Sequence, residues 1–452
     1  MQQRDPEQVV RDVARAVAAA GGRAWLVGGG VRDRLLGIPR KDFDLEVYGL
    51  APERLEALLA RAHEVIDVGR AFGVLKLAGL PIDVALPRRE TKVARGHKGF
   101  AIDADPELDL RSAAERRDLT VNAIYEDPLT GEIADPLDGR RDLAARLLRH
   151  ASPRFVEDPL RVLRVMQFAA RFDFAVAPET VALSRTIDLA ELPRERIEEE
   201  WKKLLLQGRL PSRGLAFLHA CGALRFFPEL EPLSGCPQHP EWHPEGDVWV
   251  HTLHVLDHFA GARVGDASDW IVGLALLCHD LGKPATTFDD AGVWRSPGHS
   301  EAGEAPTRAL LARITAQADV VEPVVALVLQ HLKPQEFFKA QPGDGAIRRL
   351  ATKVNLRWLV RVARHDDAGR PPRPIGDFEA GRWLLARAEA LAAADAAPKP
   401  LVLGRHLIEL GRAPGKEFKA LLDRCYEAQL DGVFTDAAGA QAFVRALVAE
   451  LC

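Results

Sequence analysis

Residues 26–49 read LVGGGVRDRLLGIPRKDFDLEVYG. Leu26 and Val27 close a short apolar run that starts at Ala24 and runs into Gly28, Gly29 and Gly30. Residues 31–36 then take on a helical pattern, and the stretch from Phe43 to Val47 alternates as a strand does. A strand, a glycine turn, a helix and a second strand within so short a stretch predict an α/β or α+β head. Asp42 and Asp44 flank Phe43, so on a strand both carboxylates share one face. Two hard oxygen ligands so placed suit Mg²⁺ and a bound nucleotide phosphate. The glycines let the backbone approach a phosphate, and the helix start behind them offers N–H groups. Arg32 adds a charged fork aimed at a triphosphate. The spacing is neither GxGxxG nor a Walker loop. Asp83, in the strand-like run 81–86, is the third carboxylate expected beside the pair.

Working outward, residues 7–20 read as a helix, and 74–77 and 81–86 as short strands. After Pro153 the pattern changes to long amphipathic helices. Gly, Pro and aromatic residues cluster between Pro228 and Trp249, as in an inter-domain loop. Nine of the fourteen histidines then fall between His239 and His365. That density sets the region apart from the rest, and Pro371-Pro372-Arg373-Pro374 marks its end. No repeat of solenoid period occurs. The expected fold is α+β, a small mixed-sheet head followed by a mostly α-helical body. The expected segments are 1–150, 151–235, 236–375 and 376–452.

The chain of 452 residues is 47% hydrophobic and 28% charged, which places it among ordinary globular proteins. A net charge of −5 rules out a globally basic surface, so RNA contacts have to be local. The basic stretches are Pro87–Lys98, with Arg88, Arg89, Lys92, Arg95 and Lys98, and Arg111–Arg117. Five cysteines without a CxxC spacing speak against a zinc–cysteine site or a disulfide framework, and fit a reducing compartment. The charged N-terminal residues lack the apolar core of a signal peptide. No apolar run approaches about 18 residues, so no membrane partner is expected and a cytoplasmic location is.

Residues 26–49 resemble the head motif of bacterial class II tRNA nucleotidyltransferases (CCA-adding enzymes) and their poly(A) polymerase relatives. Further motifs follow in the family's order. Glu115–Ile124 resembles RRDxTxNA, Arg154–Arg164 resembles EDxxR, and Cys221-Gly222-Ala223-Leu224 falls where the family has a similar helical turn. The resemblance implies template-independent addition of CCA, or its terminal A, to tRNA 3′ ends from CTP and ATP. It assigns catalysis to Asp42, Asp44 and Asp83. It assigns nucleotide binding to Gly28, Gly29, Arg32, Arg117, Asn122, Asp158, Arg161 and Arg164. The base reader also has a rationale of its own. A carboxylate only accepts hydrogen bonds and a guanidinium only donates them. Cytosine and adenine each present an amino donor beside a ring-nitrogen acceptor, whereas uracil and guanine present a carbonyl beside an N–H. Asp158 and Arg161, three apart and expected on one helical face, therefore complement C and A. Gln167 stands where the family often has an arginine. The segment from Arg88 to Arg111 resembles the flexible loop of full CCA-adding enzymes, which favours CCA or A addition over CC alone.

His251, His279-Asp280 and Asp366 follow the order H…HD…D. Imidazole and carboxylate together suit a divalent transition metal or a metal pair. His299 and His331 are candidates for a second ion, and Lys283 for a phosphate contact. Asp367 rivals Asp366, and His254 and His258 are equally well explained by helix packing. The LLCHDLGKP stretch resembles the HD phosphohydrolase superfamily, whose all-α domain some of these tRNA nucleotidyltransferases carry. The resemblance implies phosphatase or 2′,3′-cyclic phosphodiesterase activity. Two other readings remain open at this point: a metal phosphohydrolase whose head only binds RNA or nucleotide, and a poly(A) polymerase.

Overall fold

The computed structural model describes residues 5–67, 74–92 and 100–450. Arg95 and Lys98, and with them the centre of the loop expected between Arg88 and Arg111, lie outside the described residues. The chain divides into two compact units, 1–226 and 227–452.

The first unit opens with α1 (Pro6–Ala19), β1 (Arg23–Val27), α2 (Gly29–Leu35), β2 (Phe43–Tyr48) and α3 (Pro52–Leu59). Asp5 caps α1 by accepting from the Glu7 N–H, and Pro6 supplies the fixed φ of a first helical position. Val9, Val10, Val13 and Val17 form its buried stripe. Next come β3 (Val65–Asp67), β4 (Val74–Leu77), β5 (Ile82–Ala85), β6 (Arg88–Lys92), β7 (Phe100–Ala104) and α4 (Leu110–Ala114). β8 (Tyr125–Glu126) and β9 (Ile133–Ala134) complete a seven-stranded sheet in the order β3-β4-β5-β2-β1-β8-β9. Its β2–β5 pair is parallel and the others are antiparallel. This is the mixed sheet the sequence predicts. β6 and β7 form a ladder of their own.

β2 shows why the sheet positions a site. Phe43, Leu45 and Val47 are buried, while Asp44, Glu46 and Tyr48 point the other way. The period-2 rule thus puts Asp42, Asp44 and Glu46 on one face. β5 lies alongside with Asp83 opposite Asp44 in register.

A helical layer completes the first unit: α5 (Gly139–Ala144), the short parallel pair β10 (Leu147–Leu148) and β11 (Ala175–Val176), α6 (Leu160–Phe172), α7 (Pro178–Arg185), α8 (Arg194–Gln207) and α9 (Pro211–Ala220). α6 packs against both α8 and α9 and buries Val162, Leu163, Val165 and Met166.

The second unit is helical apart from the hairpin β12 (Phe288–Asp290) and β13 (Val293–Arg295). Its centre is α11 (Ser268–Cys278), flanked by α10 (Val248–Gly261), α15 (Ala318–Gln330) and α18 (Leu356–Ala368). Between α11 and α15 run α12 (Lys283–Thr286), α13 (His299–Ala302) and α14 (Glu304–Ile314). Every residue of α11 except Ile271 is buried, as expected of a helix that is apolar all round. Whatever caps α11 is therefore buried too, and the cap is His279. α16 (Lys333–Ala340), α17 (Asp344–Ala351) and α19 (Glu379–Ala390) follow, then α20 (Gly404–Glu409), α21 (Lys416–Leu430) and α22 (Ala437–Ala449). The last three enclose a small core of their own, with Leu407, Leu421, Phe434, Val444 and Leu447. Among the described residues, no helix is long and apolar enough to cross a membrane.

Candidate functional sites, an open cleft and a histidine cavity

In the first unit a cleft of about 1000 Å³ is lined by Gly28, Gly29, Gly30, Arg32, Asp42 and Asp44 on the sheet side. Arg117, Asp118, Asn122, Asp158, Arg161 and Arg164 line it further, with Arg171, Arg196 and Lys203 from the helices. Asp83 is the exception among the predicted carboxylates. It borders an adjacent hollow with Asp44, Glu46 and Arg117, and Lys76 Nζ lies 3.3 Å from its carboxylate. Desolvation pushes the Asp44 carboxyl up from its ordinary value. Arg117 opposes the rise, and the charges of Asp83 and Asp42 add to it.

The glycines are needed for close approach. Gly28 takes φ +74°, a conformation L side chains rarely adopt, and a Cβ there would sit 3.2 Å from Asp44 Oδ2. A Cβ on Gly30 would meet the Asp42 carbonyl at 2.8 Å. The turn thus lies directly against the aspartate strand.

The arginines are largely committed to partners far away in the sequence. Arg32 is buried, donates through Nε and Nη2 to Asp33 and through Nη1 to Asn122 Oδ1 at 2.6 Å, and stacks over Phe172. Asn122 in turn donates to Asp118, which accepts from Arg164 Nε at 2.7 Å. Burial raises the Asp118 carboxyl, but the Arg164 charge and the Asn122 amide outweigh it and hold Asp118 at about 2. Arg117 Nη2 lies 2.9 Å from Glu46. Sequence reading missed Asp118 and Glu46 as members of the site. Asp118 stands inside the motif around Arg117, and Glu46 continues the period-2 face of Asp42 and Asp44.

One expectation needs correction. Asp158 does not share a helix with Arg161. It precedes Pro159, whose ring disfavours the helical conformation in the residue before it, and Asp158 is accordingly extended (φ −120°, ψ 106°). It accepts from the Leu160 N–H at the start of α6 and pairs with Arg196 at 3.2 Å. Arg161, in the first turn of α6, donates to the carbonyls of Arg154 and Arg116. Both side chains still face one cleft. Gln167 is buried, accepts from Arg171 and does not line the cleft.

In the second unit His251 (α10), His279 and Asp280 (after α11) and Asp366 (α18) are all buried and meet. His251 Nε2 lies 3.1 Å from Asp366 Oδ1 and 3.4 Å from His279 Nε2. His299 and His331 join through Asp280, with His299 Nε2 3.6 Å from Asp280 Oδ1 and 3.2 Å from His331 Nε2. Asp366, not the exposed Asp367, faces the cluster. His254 is exposed and His258 bonds His365, so neither takes part. Lys283 Nζ lies 2.8 Å from Asp280 and donates to Gln238. Glu245, which sequence reading missed, accepts from both His243 and His251 Nδ1.

The donor set fits divalent cations. Nδ1 of His279, His299 and His331 lies within 2.8 Å of the carbonyl of Leu276, Ser296 and Val328 respectively. A carbonyl only accepts, so those bonds assign the proton to Nδ1 and turn the Nε2 lone pairs inward. Burial holds His331 down at about 4, which keeps it neutral. Facing lone pairs 3.2 Å apart repel unless a proton or a cation lies between them. Three sets of possible metal ligands occur among the described residues: His251/His279/Asp280 and Asp280/His299/His331 share Asp280, and His243/Glu245/His251 adjoins them through His251.

Residues 24–149 match the model of the Poly A polymerase head domain, and 173–233 that of the probable RNA and SrmB-binding site of polymerase A. The multifunctional CCA protein of Laribacter hongkongensis is 38% identical over 83% of this chain and 93% of its own length. That of Xanthomonas campestris is 42% identical over 77% and 85%. The fold is similar to that of the Bacillus stearothermophilus CCA-adding enzyme in complex with CTP (TM-score 0.64, 23% identity, all of both chains). It is also similar to that of the Thermotoga maritima enzyme complexed with tRNA (TM-score 0.59, 18% identity, 99% and 97% of the two chains). With relatives this similar over most of both lengths, the chain belongs to the multifunctional CCA protein family of tRNA nucleotidyltransferases.

Proposed function

We propose that this protein adds cytidine and adenosine residues to tRNA 3′ ends from CTP and ATP, without a nucleic-acid template, in the cytoplasm. The observation that carries the reading is the single cleft of about 1000 Å³ whose walls hold Asp42 and Asp44 as well as Asp158 and Arg161. That volume accommodates a nucleoside triphosphate. Asp42 and Asp44 would hold divalent metal, which we take to be Mg²⁺. When bound, it supplies activation of the 3′-hydroxyl and neutralisation of the pyrophosphate. Asp83, across the ladder from Asp44, adds negative charge there that Arg117 offsets.

The protein's own groups do the positioning. Gly28 and Gly29 leave room for phosphates, and Arg117 and Arg164 supply positive charge that Glu46 and Asp118 hold in place. Arg32 and Asn122 brace that network from below. The two carbonyls that hold Arg161 fix its guanidinium and leave further N–H groups for the acceptor of cytosine or adenine. Asp158 accepts from the amino group of the same base once Arg196 yields. Residues 1–150 carry the transfer chemistry and 151–235 the base reading and RNA contact. Product length on a tRNA lacking its last three residues tests the reading. Two residues should be added from CTP alone and three from CTP with ATP. Long A tails would make the protein a poly(A) polymerase instead, and no growth would leave the head a binding module.

The histidine cavity supports a second activity, hydrolysis of phosphate esters including 2′,3′-cyclic phosphates at RNA ends, in residues 236–375; residues 376–452 form a helical tail. His251, His279, Asp280 and Asp366 would hold a divalent transition metal, with His299 and His331 toward a second. Such a metal supplies a hydroxide nucleophile near neutral pH. Lys283 and Arg370 provide positive charge against the ester phosphate. Hydrolysis of p-nitrophenyl phosphate that disappears on chelation and returns with added transition metal is the expected result. Hydrolysis indifferent to chelator would overturn this assignment.

A further inference from the structure

The histidine cavity is small, about 260 Å³, and its mouth carries two tryptophans, Trp242 and Trp294. Both are unusually exposed for their type, 56% and 38%. Two exposed indoles on the wall of one cavity form apolar surface of the kind that receives a ligand ring. The interior is polar and charged, with Gln238, Lys283 and Arg370 beside the histidines and Asp280. A phosphate fits such a floor. A cavity of about 260 Å³ seats a phosphate among its charged groups and leaves the base of a nucleotide toward the tryptophans.

The rim is fixed relative to the floor. Trp294 lies two residues before Ser296, whose carbonyl accepts from His299 Nδ1 at 2.8 Å and whose hydroxyl bonds Thr287. Trp242 precedes His243, which shares the Glu245 carboxylate with His251. Each tryptophan thus stands on a segment anchored by a hydrogen-bond chain to an inward-facing histidine, so the distance from indole to floor is set by the fold.

We propose that Trp242 and Trp294 hold the base of a nucleotide whose phosphate occupies the histidine cavity, and so make that site selective for nucleoside phosphates over other phosphate esters. This rests on the phosphohydrolase reading of the cavity. Every base presents a π-face, so the selectivity is for nucleotides as a class rather than for one base.

The test uses the full-length protein with its first-unit cleft saturated by CTP. Binding of adenosine 3′-monophosphate and of inorganic phosphate is measured by calorimetry, with the metal that supports p-nitrophenyl phosphate hydrolysis present. The nucleotide should bind about tenfold more tightly than phosphate. Trp242→Ala and Trp294→Ala should each weaken nucleotide binding about tenfold and leave phosphate binding unchanged. Their hydrolysis of glycerol phosphate, which has no ring to stack, should keep kcat and KM within about twofold of the parent, with the loss confined to KM for the nucleotide. Trp242→Phe and Trp294→Phe should restore nucleotide binding. Equal affinity for nucleotide and phosphate, or unchanged nucleotide affinity in both alanine variants, would overturn the clamp while leaving the phosphohydrolase reading intact. Absence of both binding and hydrolysis would overturn the two together.

Discussion

The cleft of the first unit and the cavity of the second solve opposite electrostatic problems. In the cleft, Asp42 and Asp44 line a wide opening and the arginines around them already have acidic, amide or carbonyl partners. In the cavity His251, His279, Asp280, His331 and Asp366 are buried, and His299 and His331 turn lone pairs toward one another. An open site can wait for a large charged ligand in water. A buried cluster of this composition is stabilised when a cation or proton offsets the crowding, because buried charge costs far more than exposed charge. Under the proposed function, the cleft takes a large exchangeable substrate, and the donors of the cavity suit a metal and a small reacting group.

Separate replacements give the largest effect that can break this comparison. Asp44→Ala should lower nucleotide addition about a thousandfold and leave phosphate-ester hydrolysis unchanged, and His279→Ala should do the reverse. Loss of both activities from either change, with the fold intact by circular dichroism, would contradict two independent sites.

Close approach in the glycine turn comes next. Gly30→Ala puts a Cβ on the Asp42 carbonyl, and backbone cannot move aside without moving the aspartates. Addition should fall about a hundredfold. Gly29→Ala makes only an ordinary contact, 3.4 Å from Arg32 Nη2, and should cost no more than about threefold. Equal effects in steady-state kcat/KM would show that the turn does not position Asp42.

The Asp118–Arg164 pair predicts a pH signature. Asp118 is held at about 2 in the folded chain against an ordinary 3.8. A depressed carboxylate contributes stability that is complete above its unfolded value and lost as pH falls through the folded one. The parent should therefore lose about 2 kcal/mol more than Asp118→Asn between pH 5 and pH 2, read by urea denaturation. Parallel pH curves for parent and variant would contradict the pairing.

The smallest effect concerns base choice. Asp158→Ala and Arg161→Ala should each narrow the preference for CTP over UTP by about tenfold, measured as a ratio of kcat/KM. An unchanged ratio in both variants would remove their assignment as base readers.

The sequence made legible what depends on short spacing. The strand, glycine turn, helix and DxD strand follow from periods of 2 and 3.6 and from glycine, and all are present. The family resemblance supplied the order of motifs and hence the mixed-sheet head on a helical body. Pairings across long separations were not legible. Nothing local says that Arg32 reaches Asn122, that Arg117 reaches Glu46 or that Glu245 grips two histidines. The displacement of Asp158 from the helix was legible in principle, because Pro159 follows it. Burial of the HD pair was legible only indirectly, through the unbroken apolar character of α11.

The most direct test of the account is the 3′-end sequence made when the protein meets a tRNA lacking its last three residues in an equimolar mixture of CTP, ATP, UTP and GTP. The account predicts C, C and A in that order, then arrest, with U and G excluded. Ends extended by A alone, ends carrying U or G as often as C, or ends left unextended would contradict it.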